Sequence, residues 1–100
     1  MLFAFICKDK PGHLQLRLDV RPDHVAFLNG LNQAGTLKFA GPLLDDDNKP
    51  NGSIVVVEAA DKAAATAISV QDPYAKAGLF ESVEVRGWNW VFNNPAAAAS

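Results

Sequence analysis

Apolar and polar positions divide the chain into strands and helices in alternation. Leu2 to Cys7 is apolar at every position, and Ile54 to Val57 is a second unbroken apolar run rich in β-branched residues. A strand that is apolar on both alternating sets of positions is covered on both faces, so these runs predict two central strands. Leu37 to Leu44 reads as another strand, joined to the Ile54 strand by the turn formers Asp45-Asp46-Asp47-Asn48-Lys49-Pro50-Asn51-Gly52, and the pair predicts an antiparallel hairpin. Phe80 to Phe92 predicts a long last strand whose alternation changes phase at Gly87, since Val83 and Val85 are odd-numbered while Trp88, Trp90 and Phe92 are even-numbered. A slip of one residue at a glycine is what a β-bulge produces.

Helical spacing fills the intervals. His24, Phe27, Leu28 and Leu31 share one face of a helix expected to start near Pro22 and to end at Gly35. Before it, Leu14, Leu18 and Arg21 predict a shorter helical stretch that turns at Arg21-Pro22. Asp61 is placed to cap a second helix, alanine-rich to about Val70. The resulting order, β-α-β-β-α-β, predicts an α+β fold of the ferredoxin-like kind, a four-stranded antiparallel sheet with two helices on one face. The second face of the central strands is apolar as well and needs a cover. A second copy packed sheet on sheet is the simplest one, so a homodimer or a higher oligomer is expected. The domain is expected to span residues 1–93, with 94–100 as a disordered tail.

Composition narrows the classes of function. A chain of 100 residues with 49% hydrophobic and 20% charged positions is an ordinary globular domain. The 9 basic and 11 acidic residues form no Lys/Arg stripe, which argues against a nucleic-acid partner. The apolar opening lacks a basic leader and a small-residue cleavage site, and Lys8-Asp9-Lys10 interrupts it, so neither a signal nor a membrane segment is expected. Cys7 is the sole cysteine, which excludes an intrachain disulfide and suits a reducing compartment; a cytoplasmic location is expected.

His24 is the leading candidate for chemistry. In the first turn of the helix expected from Pro22, on the apolar stripe, it would face the interior. The positive end of the helix dipole and desolvation would both disfavour imidazolium there and leave a neutral ring able to take a proton. A core histidine satisfied by a backbone carbonyl fits the same position. Asp72 precedes Pro73, and Asp-Pro is a good N-cap and first-position pair for a short turn closed by Gly78. Its carboxylate can also orient the His24 ring by accepting an N–H bond, and with two oxygens it can do both. Arg17 and Arg21, four apart, would follow one edge with His24 if the chain stayed roughly helical, and could hold an anionic substrate group. As solvated arginines paired loosely with surface acids they would need no ligand. Tyr74 is a second proton donor or a packing ring.

Other features carry less. The Asp45-Asp46-Asp47 run lacks the alternating ligands of a calcium loop and reads as a solvated turn. Cys7 and His13 have no third member for thiol catalysis, and Cys7 reads as a small buried hydrophobe. With no phosphate-binding glycine loop, nucleophile-elbow serine or paired-histidine zinc motif, neither a cofactor nor a metal is expected.

Several linked signals resemble the YciI-like (YCII-related) family over about residues 1–92. They are Leu14 with Arg17-Leu18 before Arg21-Pro22-Asp23-His24, Gly35 ahead of Ala40-Gly41-Pro42, Gln71-Asp72-Pro73-Tyr74 before Ala77-Gly78-Leu79, and Trp88. The resemblance implies a ferredoxin-like fold paired as a dimeric α+β barrel, with an active site of a histidine and an aspartate carried here by His24 and Asp72. The family is similar to muconolactone isomerase-like proteins, and a few members are linked to removal of chloride or to related proton transfers on hydroxylated aromatic compounds. Two readings follow. One is a small-molecule isomerase or lyase, dehydrochlorinase-like, in which His24 moves a proton, Asp72 orients it, and Arg17 or Arg21 holds a carboxylate or enolate. The other is a non-catalytic dimeric module whose cleft holds a metabolite.

Overall fold

The computed structural model describes residues 1–95. Along the chain it has strand β1 (Leu2–Asp9), helix α1 (Leu14–Gln33), strands β2 (Leu37–Leu44) and β3 (Pro50–Glu58), helices α2 (Lys62–Ser69) and α3 (Pro73–Lys76), and strand β4 (Phe80–Trp88). The strands make one antiparallel sheet in the order β2-β3-β1-β4, with β1 and β3 in the centre, as expected of a ferredoxin-like fold.

The register places the core. Phe3 stands opposite Val57 and Phe5 opposite Val55, so these side chains share the sheet face on which Ala65 of α2 and Leu28 and Leu31 of α1 pack. Asp61 caps α2 by accepting the Ala64 amide at 2.8 Å. Gly52 meets β1 so closely that a Cβ there would lie 2.5 Å from the Cys7 carbonyl oxygen. Gly52→Ala is therefore expected to cost about 1–3 kcal/mol through overpacking. Urea unfolding measures it as a lower midpoint at unchanged slope; an unchanged midpoint would mean that β3 can back away from β1.

Two expectations about element boundaries are corrected. There is no turn at Arg21-Pro22, because α1 runs unbroken through Pro22. An interior proline removes the bond to the carbonyl four residues earlier and normally costs about 3 kcal/mol. Here that carbonyl belongs to Leu18, and both Leu18 and Pro22 are exposed, where water can serve the carbonyl. The edge that carries Arg17 and His24 is buried, and its contacts carry the helix unbroken past the proline. The helix ends as expected, at Gly35 with φ +77°.

The last strand stops at Trp88 and has no bulge at Gly87, which pairs regularly with Phe3. Its irregularity lies at the other end, where the register jumps from Lys8–Ser82 to Asp9–Phe80. The change of phase at Gly87 marks the end of the strand. Trp90, just past it, packs on Phe39 with ring centroids 5.0 Å apart and on Trp88 at 5.6 Å. These rings shelter one end of the sheet face opposite the helices, while Ile6 and Ile54, paired on that face, remain 40% and 37% exposed. Of the expected tail, Asn94 and Pro95 line a hollow with Leu2 and Trp90, and residues 96–100 lie outside the described residues. Among the described residues no helix is long and apolar enough to cross a membrane.

Candidate active site

Because α1 is continuous, Arg17, Arg21 and His24 fall on one helical edge. All three line a cavity of about 260 Å³ between that edge, β2, β3 and α3. The continuity also corrects the placing of His24. It sits mid-helix and not in a first turn, so the helix dipole has no hold on it. Its burial stands, at 8% exposed.

The His24 side chain is fixed from two sides. Its Nδ1 lies 2.8 Å from Asp72 Oδ1 and 3.0 Å from Oδ2. The Tyr74 ring stacks on the imidazole at a centroid distance of 3.9 Å and an interplanar angle of 14°. Asp72 has both of the roles its sequence position offers: it is the N-cap of α3, and the same Oδ1 accepts the Tyr74 amide at 2.9 Å. A buried side-chain nitrogen without a partner occurs nowhere among the described residues. His24 Nε2 makes no hydrogen bond among the described residues and is therefore not enclosed by them.

Arg17 fits neither the picture of a free anion binder nor that of a solvated arginine. Its Nε donates to Asp9 Oδ2 at 2.7 Å and its Nη2 to Asp9 Oδ1 at 3.0 Å, with both side chains 5% exposed. Nη2 also donates to Ser53 Oγ at 2.9 Å, and the guanidinium carbon lies 4.6 Å from the Tyr74 ring centroid. Burial pulls the Arg17 pKa down, but the hydrogen bond and charge of Asp9, with help from Tyr74, outweigh it and leave it raised. Arg21 is exposed, lines the same cavity, and makes no ion pair among the described residues.

Burial raises the Tyr74 phenol above its usual value; Arg17 and Arg21 oppose the shift, and Asp72 and Asp9 add to it. Tyr74 thus packs and at neutral pH keeps its hydroxyl proton. Beneath the site, burial pushes the Cys7 thiol up to about 12, with the charges of Asp72 and Asp9 adding and that of Arg17 opposing. Such a thiol stays protonated and inert. The Asp45 side chain makes a turn, accepting the amides of Asp47 at 2.8 Å and Lys49 at 3.0 Å. Among the described residues no group of three or more His, Cys, Asp or Glu is placed to hold a metal ion.

Asp9 and Ser53 are the polar groups that the sequence reading passed over. Both carry a signal. Asp9 continues the odd-numbered inward row of Phe3, Phe5 and Cys7, and Ser53 continues that of Val57 and Val55. A polar residue in a buried row demands a partner.

The sequence pattern of the YCII-related domain matches residues 1–89. The chain belongs to the YCII-related family. One YCII-related relative, Protein YciI of Escherichia coli O6:H1 (strain CFT073), is 40% identical over 98 residues, covering 92% of this chain and 100% of the relative. Among solved structures, 5-chloro-2-hydroxyhydroquinone dehydrochlorinase (TftG) from Burkholderia phenoliruptrix AC1100, in complex with 2,5-dihydroxybenzoquinone, is 35% identical with a TM-score of 0.80. That similarity covers 89% of this YCII-related chain and 94% of TftG. An antibiotic biosynthesis monooxygenase, 13% identical with a TM-score of 0.50 over 89% of this chain and 99% of that one, shares the fold alone.

Proposed function

We propose that this YCII-related protein is a small-molecule enzyme, an isomerase or lyase, that moves a proton on a single hydroxylated ring, with dehydrochlorinase-like elimination as the reaction class. The observation that carries the reading is the His24–Asp72 hydrogen bond at the wall of a ring-sized cavity. With Asp72 accepting the Nδ1 hydrogen, Nε2 is the nitrogen left to take a proton from a ring hydroxyl. A cavity of roughly 150 Å³ holds benzene, so the space beside His24, about 260 Å³, suits one substituted ring. Tyr74 is a second donor, and Arg21 is the cation left for charge that develops on the ligand, because Arg17 is engaged with Asp9. The likeness to TftG, a dehydrochlorinase, supports the same class of chemistry.

The working unit in this reading is a cytoplasmic homodimer whose second subunit covers Ile6, Ile54 and the aromatic rings on the outer sheet face. Light scattering checks the mass, and a clean monomer would remove this part of the proposal. The test of the activity is incubation with 5-chloro-2-hydroxyhydroquinone, following free chloride, together with calorimetric titration of 2,5-dihydroxybenzoquinone. Chloride release and binding are expected. Binding without turnover of this or related chlorinated hydroxyarenes would favour a metabolite-holding module, and the absence of both would end the proposal.

A further inference from the structure

The Asp9–Arg17 pair does more to the cavity wall than neutralise itself. A guanidinium has five N–H donors and no acceptor. Where Arg17 Nη2 meets Ser53 Oγ at 2.9 Å, the serine oxygen must therefore be accepting. A hydroxyl has one hydrogen, and that of Ser53 is left to donate elsewhere. Ser53 makes no other side-chain hydrogen bond among the described residues, is 3% exposed, and lines the cavity that His24 also lines.

Its position is rigid. Ser53 pairs with Cys7 on one side and Pro42 on the other, within a strand flanked on both sides. The guanidinium that turns its hydroxyl is itself clamped by two bonds to Asp9. A donor held this way needs little reorganisation when a ligand arrives. Across the cavity the requirement is reversed, because His24 with Nδ1 tied to Asp72 presents Nε2 as an acceptor. Beside Tyr74 and Arg21, the walls thus offer an acceptor at His24 and a donor at Ser53 that is held by the sheet.

We infer that Ser53 is a ligand-binding residue whose hydroxyl, set by the Asp9–Arg17 pair, donates to a second oxygen of the ring whose first oxygen gives its proton to His24. The ligand class that fits is a ring with at least two oxygens, one an ionisable hydroxyl and one a carbonyl or oxyanion, so hydroxyquinones and polyhydroxylated arenes are favoured over simple phenols. The inference rests on the proton-transfer reading of His24 and narrows its substrate.

The test is calorimetric titration of 2,5-dihydroxybenzoquinone and of phenol into the wild-type protein and into Ser53→Ala. Loss of a hydrogen bond to a charged oxygen is expected to weaken dihydroxybenzoquinone by about ten- to a hundredfold. Phenol, with no second oxygen, should stay within about twofold, and Ser53→Thr, which keeps the hydroxyl, should retain most of the dihydroxybenzoquinone affinity. If Ser53→Ala does not fold, Ser53→Cys, close in shape and a weak donor, carries the same comparison. Equal weakening of both ligands, or of neither, would overturn the assignment of Ser53 and leave the role of His24 standing. Wild-type protein that binds phenol at least as well as dihydroxybenzoquinone would overturn it too, and protein that binds neither would overturn both readings.

Discussion

Replacing His24 by glutamine is expected to lower turnover of a hydroxylated ring substrate by about two to four powers of ten, the usual worth of a positioned acid–base group. The fold should survive. Glutamine is a good helix former, and the site lies mid-helix in α1. Its side-chain amide can still donate to Asp72, so the buried carboxylate is not orphaned. What the amide cannot do is take a proton and return it at neutral pH. Initial rates, read beside the melting curve and the affinity for 2,5-dihydroxybenzoquinone, separate the two effects. A variant that stays folded, binds, and works within tenfold of wild type would remove His24 from the proton transfer.

The second large effect is on stability. Asp9→Leu leaves the Arg17 guanidinium charged and buried without its carboxylate, and Arg17→Met leaves Asp9 in the converse position. Removing one partner of a buried pair costs about 3–5 kcal/mol, a large part of the roughly 5–15 kcal/mol that holds a small domain together. The double variant Asp9→Leu/Arg17→Met removes both charges, so it should lose less than the sum of the singles, and less than either if the apolar side chains pack well. Urea midpoints of the four proteins measure the coupling. Single variants within about 1 kcal/mol of wild type would show that the pair behaves like a solvent-screened surface bridge. Because Arg17 lies over Tyr74, and Tyr74 stacks on His24, the single variants should also loosen the cavity wall.

Much of this architecture was legible from patterning, because β1 and β3 are buried strands whose apolar runs have few other solutions. Asp72 was legible for a similar reason: an Asp-Pro pair before a short turn has a local task whatever surrounds it. The errors have a common origin in tertiary context. Local rules end a helix before Pro22, yet burial of the Arg17 and His24 edge carries α1 through it. The even-numbered aromatic residues after Gly87 imitate a strand that has slipped, although Trp90 reaches Phe39 from outside the sheet. Asp9 was hidden by its neighbours Lys8 and Lys10, which make a buried charge look like part of an exposed polar stretch.

Asp72 Oδ1 receives both the amide that starts α3 and the ring that faces the cavity. In evolutionary terms the acid would, on the proposed reading, answer to two selections. A descendant that has abandoned the chemistry still gains by keeping Asp72 for the short helix, so the acid can persist in lineages whose reactions have diverged or ceased. Its presence in a relative is evidence of a shared scaffold, and on the proton-transfer proposal His24, which begins no helix and ends none, is the better marker of a shared reaction.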